Sequence, residues 1–375
     1  MKRLVLLAAA VLLWLPAASH AATLSVFTAD SCNGSVACEK YSAGSPVAVV
    51  SFLGEPGEAN RVTVTREGGT VTVRDEAAPV RPKAPCTAVD ERTASCPAQS
   101  GEGPIPGFAA GLGDGDDRIQ IAALLQTRTS LAGGPGADVL VGGPDDDRLD
   151  GGEGRDALTG GEGDDTADYS GRTAPVVVNL PQSAGGELGE GDSLVDLELA
   201  LGGGGDDVLI GGEGPTTLDG GLGDDRLDGR GGNDVITGGQ GLDVLTGGAG
   251  DDQLEGDPEQ GDDVYTAEFT PRRDTLSGGS GDDVLTDQAG GGDRLSGGSG
   301  DDRLALMGGG SAVLRGGPGN DELEGGEGRD RFFGDAGRDS IDARDARIER
   351  VDCGTGRDRI RSDRRDRLRR CERRR

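Results

Sequence analysis

Five aspartates between Gly202 and Glu255 each stand sixth in a nine-residue unit: Asp207, Asp225, Asp234, Asp243 and Asp252. The units read GGGGDDVLI, GGEGPTTLD, GGLGDDRLD, GRGGNDVIT, GGQGLDVLT and GGAGDDQLE, without a slip, and Thr216 alone breaks the acidic series. The same place is acidic elsewhere: Asp117 in LGDGDDRIQ, Asp138, Asp147, Asp156 and Asp165 in the four units from 133 to 168, and Asp283, Asp302, Asp321, Asp330 and Asp339 further on. Carboxylates beside bare backbone carbonyls in a pliable turn are hard oxygen donors. That donor set suits Ca2+, which takes six to eight oxygen ligands.

Such carboxylates need a scaffold, and the rest of the unit is shaped to supply one. Glycine opens each unit at 202, 211, 220, 229, 238 and 247, and positions one to six predict a tight turn that visits positive φ. The eighth position is always Leu or Ile: Leu209, Leu218, Leu227, Ile236, Leu245, Leu254. Positions seven to nine predict a short strand with one inward side chain. A single such strand cannot bury itself, whereas stacked units can. A solvated acidic linker has no reason to keep an apolar residue at every ninth place.

These units resemble the G-G-x-G-x-D-x-U-x nonapeptide of the repeats-in-toxin (RTX) calcium-binding family. The resemblance implies an all-β fold, a Ca2+-dependent parallel β-roll (β-solenoid) with two nonapeptides per turn and Ca2+ held between turns on each edge. Carried over by residue, it pairs Asp207 with Asp225, Asp225 with Asp243, and Asp234 with Asp252. Thr216 weakens the site that Asp234 would share with it. The fifteen sixth-position aspartates become the expected metal ligands, with Ca2+ as the only cofactor.

Composition agrees with a metal-dependent fold. Glycine supplies 71 of 375 residues, aromatics 3%, and 68 acidic residues face 38 basic ones. High charge with few aromatics would ordinarily mean disorder; the periodic Leu and an implied counter-ion argue for order. So acidic a body does not hold nucleic acid. Residues 1–21 read as a secretory signal peptide: Lys2 and Arg3, an apolar run from Leu4 to Leu15, and Ser19-His20-Ala21 at the cleavage point. The run is too short to span a membrane. Cleavage would remove the only His and the only Trp and move the net charge from −30 to −32. Six cysteines form three sequence-local pairs, Cys32/Cys38, Cys86/Cys96 and Cys353/Cys371, expected as disulfides in an exported chain.

Residues 22–110 predict a small disulfide-tied β domain or cap, with a hairpin of Arg61–Arg66 and Thr70–Arg74 around Glu67-Gly68-Gly69 and a strand within Ser45–Leu53. A first repeat block covers 111–168. The segment 169–201 is either an excursion that keeps the strands stacked or a break between two rolls. A second block covers 202–342, loosened by an acidic insert around 256–273 and by a 19-residue step between GGSGDDVLT and GGSGDDRLA. The segment 343–375 is a short Arg-rich C-terminal cap closed by Cys353 and Cys371. From Arg344 it holds fourteen Arg against seven acids, net +7, leaving −39 for residues 22–343. That tail reads as a closing cap, or as a basic hook for an anionic wall polymer, a membrane surface or nucleic acid; beside calcium ions, the partner expected of the chain is an anionic or carbohydrate surface polymer. No H-E-x-x-H or G-x-S-x-G motif is present, and no His survives cleavage, so no enzyme is expected. The expectation is a secreted Ca2+-binding protein with a structural or matrix role. The alternative is a Ca2+-dependent cell-surface adhesin or carbohydrate-binding protein.

Overall fold

One apolar side chain per nine residues can be buried only by stacking, and the units do stack. In the computed structural model the residues described are 22–28, 48–67, 69–97, 99–100, 103–104, 107–122, 128–256, 273–288, 292–307 and 309–372. They form a parallel β-solenoid of about 13 turns, its two faces being sheets of 16 and 20 strands. No helix among the described residues is long and apolar enough to cross a membrane. On one face Val208–Ile210, Arg226–Gly231 and Val244–Ala249 pair in parallel, so Leu209, Leu227 and Leu245 lie directly opposite one another. On the other, Thr217–Leu222, Val235–Gln240 and Gln253–Glu255 align Leu218, Ile236 and Leu254. All six are at most 1% exposed. Burying each stabilises the stack by about 1.5–3 kcal/mol.

The turn is shorter than the sequence suggests. In the regular turns the strand runs on through the two opening glycines, as in Thr217–Leu222, with Gly221 opposite Gly239. Gly221 (φ 98°) and Gly223 (φ 127°) lie in the left-handed region, and a Cβ on either would collide with the Gly203 or Gly205 carbonyl one turn back. The conformation belongs to the position: where Arg230 or Asp335 replaces the second glycine, φ stays positive at 72° and 66°.

Unequal spacings are absorbed without loss of register. Leu245 lies opposite Leu276, 31 residues on, and Leu285 opposite Leu304, 19 residues on. The insert after residue 168 is an excursion. Ala157–Thr159 pairs with Asp192–Val195, and Thr166–Asp168 with Leu199–Leu201. Val177–Asn179 and Ala184–Gly185 form an antiparallel pair inserted between Asp192–Val195 and Val208–Ile210 on one face.

At the N-terminal end the expected hairpin forms, Arg61–Glu67 against Thr70–Asp75. It is continuous with the roll: Arg61–Glu67 pairs in parallel with Arg118–Ile121, and Ala48–Leu53 with Gly107–Gly111. A boundary at residue 110 therefore falls inside a strand. At the other end Arg350–Asp352, Arg359–Ser362 and Arg367–Arg369 extend both sheets. Cys86 bonds Cys96 and Cys353 bonds Cys371, as the local pairing predicts. The leader, the Cys32/Cys38 pair and most of the acidic insert (257–272) lie outside the described residues.

Candidate metal centre

Each sixth-position aspartate immediately precedes a strand, so stacking the strands stacks the carboxylates into a ladder on each edge. The backbone N–H of one aspartate donates to Oδ1 of the next. On one edge Asp117 donates to Asp138, Asp138 to Asp156, Asp207 to Asp225 and Asp225 to Asp243, at 2.7–2.9 Å. On the other Asp147 donates to Asp165, Asp234 to Asp252, Asp252 to Asp283, Asp283 to Asp302, Asp302 to Asp321 and Asp321 to Asp339, at 2.7–3.1 Å. Asp330 accepts from Ala312 N–H at 2.8 Å. All fifteen are at most 2% exposed. The three pairs implied by the family resemblance are therefore neighbours in the ladder.

Thr216 keeps its rung, since its N–H donates to Asp234 Oδ1 at 2.8 Å. Its hydroxyl turns to the Gly214 carbonyl at 3.0 Å and brings no charge.

Sequence reasoning missed three rungs. Asp243 N–H donates to Asp274, Asp274 N–H to Asp293, and Asp156 N–H to Asp192, across separations of 31, 19 and 36 residues. The signal was present as Asp-x-Leu in Asp274-Thr275-Leu276, Asp293-Arg294-Leu295 and Asp192-Ser193-Leu194. It was hidden because none has glycines at the unit's first two positions, five and four residues ahead of the aspartate. Asp358, two residues before Ile360, closes the second ladder by accepting from Asp339 N–H at 3.2 Å.

The second carboxylate oxygen decides what the ladder can do. Oδ2 of Asp117, Asp138, Asp156, Asp165, Asp225, Asp234, Asp252, Asp283, Asp302, Asp321 and Asp339 is buried with no hydrogen-bond donor among the described residues. Burying charged oxygens without a partner is costly. Accordingly, burial pushes Asp138, Asp156, Asp165, Asp283 and Asp321 up to about 7, against the lowering effect of the N–H bond each accepts. Asp117, Asp225, Asp234, Asp302, Asp330 and Asp339 reach about 6 for the same first cause.

Backbone oxygen lies close to these carboxylates. A Cβ on Gly220 would run into both Asp225 Oδ2 and the Gly238 carbonyl, and Gly202 stands likewise between Asp207 Oδ2 and the Gly220 carbonyl. The opening glycine is thus required by the carboxylate it accommodates. No three acidic or cysteine side chains among the described residues form a metal cluster by themselves. The donor set is instead one carboxylate per unit plus carbonyls, oxygen throughout, which fits a hard cation.

The insert supplies its own cation at one such place. The largely buried guanidinium of Arg172 donates to the Gly152 carbonyl and lies 3.4 Å from Glu187 and 3.3 Å from Glu190. There Asp192 Oδ2 also has a donor, the Tyr169 hydroxyl at 2.8 Å. A positive group fills this turn from within the chain, whereas the regular turns present oxygen alone.

The family model of the RTX calcium-binding nonapeptide repeat matches residues 132–167, 201–236, 228–265, 270–304, 289–309 and 307–341. No curated protein matches the chain. The repeats whose carboxylates form these ladders are thus RTX calcium-binding nonapeptide repeats, as the sequence resemblance implies.

Proposed function

We propose that this is a secreted calcium-binding protein whose roll folds as it takes up the ion, with a structural or matrix role and no catalysis. The observation that carries the reading is the row of buried Oδ2 atoms, from Asp117 to Asp339, that lack donors among the described residues. Bound Ca2+ would supply positive charge shared between carboxylates and turn carbonyls, with Asp225, Asp234, Asp252, Asp283, Asp302, Asp321 and their equivalents as its holders. Binding free energy then becomes folding free energy, because the unfolded chain has no such array. Mg2+ would serve poorly, since it demands near-ideal octahedral geometry and keeps its water. An extracellular setting provides millimolar calcium and permits the disulfides Cys86–Cys96 and Cys353–Cys371.

The test is a calcium titration of the chain lacking residues 1–21, followed by circular dichroism and small-angle scattering. Compaction and a cooperative rise in β content at millimolar Ca2+, without the same response to Mg2+, are expected. A spectrum and radius unchanged from chelator to millimolar Ca2+ would overturn the reading. Fractionation of cells with and without chelator separates a free matrix protein from a surface-held one.

A further inference from the structure

We infer that the outer face of one sheet, near the C-terminal end of the roll, is a binding site for a linear carboxylated polysaccharide. The three strands Arg331–Gly337, Arg350–Asp352 and Arg367–Arg369 pair in parallel, placing Arg331, Arg350 and Arg367 directly opposite one another. The neighbouring outward column runs Arg315, Phe333, Asp352, Arg369. Between the columns lies a groove of about 370 Å³ lined by Arg331, Phe333, Arg350, Asp352, Arg367 and Arg369.

Like charges placed opposite one another across strands are destabilising. Several other arginines at this end are paired: Arg315 with Asp335 at 2.7 Å, Arg344 with Asp342 at 2.6 Å, Arg370 with Asp352 at 2.5 Å. Arg331, Arg350 and Arg367 are exposed and make no ion pair among the described residues. Arginines on an end strand guard against edge pairing. That explains Arg367, but Arg331 and Arg350 lie on strands further in. A row of unpaired guanidiniums near the end of a chain whose residues 22–343 carry −39 is a surface that awaits an anion.

The row selects among polyanions. Its rungs are about 4.8 Å apart, the strand spacing, an interval comparable to one ring of an extended glycan. Each guanidinium can take a carboxylate bidentately. Asp352, held by Arg370 at 2.5 Å and lying 3.9 Å from Arg369, can still accept from sugar hydroxyls, which the backbone of a DNA strand lacks. The one aromatic, Phe333, is half-buried and covered by the Arg315 guanidinium 4.9 Å from its ring centre, which leaves no open platform for stacked bases. Charge complementarity and hydroxyl-accepting groups thus favour an acidic glycan over nucleic acid.

The site is independent of the calcium reading, except that the roll must be folded. The experiment therefore uses the calcium-saturated chain with its fold checked by circular dichroism. Hyaluronate oligosaccharide, neutral dextran, single-stranded DNA and phosphatidylserine vesicles are compared as ligands. Binding to hyaluronate that weakens with added salt is expected. It should fall about tenfold or more in the triple variant Arg331→Gln, Arg350→Gln, Arg367→Gln, and stay unchanged in Arg226→Gln, an exposed arginine on the same face far along the roll. Equal loss in both variants, no binding by the folded chain, or tighter binding of dextran, DNA or vesicles would overturn the assignment. A chain that ignores calcium yet binds hyaluronate would overturn only the calcium reading.

Discussion

Replacing Asp225 by Asn separates the two tasks of a ladder carboxylate. Asp225 is 1% exposed, and its Oδ1 accepts the Asp207 N–H at 2.7 Å while Oδ2 has no donor among the described residues. Burial pushes its carboxyl from 3.8 up to about 6, opposed by the Asp207 N–H bond and reinforced by Asp207, Asp206 and Asp219. That gap is about 100-fold in proton affinity, or roughly 3 kcal/mol, which the calcium-free roll bears at neutral pH to keep this one group ionised. Asparagine retains the Oδ1 acceptor, removes the charge, and puts a donor beside the Gly238 carbonyl. Without calcium at pH 7.5 the variant roll should be more stable than the parent by up to about 3 kcal/mol. At saturating Ca2+ it should be less stable, having lost a charged ligand. Thermal melts by circular dichroism in chelator and in millimolar Ca2+ should therefore change order. Asp225→Ala is the control: it also strands the buried Asp207 N–H, at a cost of about 1–3 kcal/mol, and should be the weaker variant in both conditions. An Asn variant destabilised equally with and without calcium would show that the carboxylate serves only as a hydrogen-bond acceptor, and the charge argument would fail.

Three further outcomes are expected. The raised carboxyls bind protons more tightly in the folded roll, so their contribution is fully present below about 3.8 and lost as pH rises towards 6–7. Calcium-free protein should thus gain β structure on acidification from pH 8 to pH 4, whereas the contribution of Asp342 and Asp352, held low by Arg344 and Arg370, is present above about 3.8 and is lost only on further acidification; a loss of structure throughout the range from pH 8 to pH 4 would refute this. Leu227→Ala should cost about 2–5 kcal/mol because it opens a cavity between Leu209 and Leu245, whereas Arg226→Asp, exposed, should cost under about 0.5 kcal/mol; equal shifts in melting temperature would contradict the inward row. Hydrogen exchange in chelator should find the turn around Arg172 better protected than the regular turns, and Arg172→Gln should abolish that difference; uniform exchange would deny the guanidinium its role as a resident cation.

Much of this protein was legible residue by residue because its unit is local. The glycines at 220, 221 and 223, the carboxylate at 225 and the inward Leu227 lie within eight residues, so each unit declares its own turn, ligand and strand. Period, inward row and ladder order follow wherever the spacing stays at eighteen, as from Asp207 to Asp225 to Asp243. Contacts across a variable loop were not legible. That Asp243 meets Asp274, or Asp156 meets Asp192, depends on which strands remain hydrogen-bonded after 31 or 36 residues. Nor could a linear reading tell an excursion from a break at 169–201, because the deciding pairs, Leu158 with Leu194 and Ala167 with Ala200, bridge the segment. The arginine row is the clearest case. Residues 331, 350 and 367 are spaced 19 and 17 apart and show no period, yet they share one column. Strand pairing keeps the apolar residues Phe332, Val351 and Leu368 in register and lets turn length vary, so only the stacked structure decides which outward side chains become neighbours.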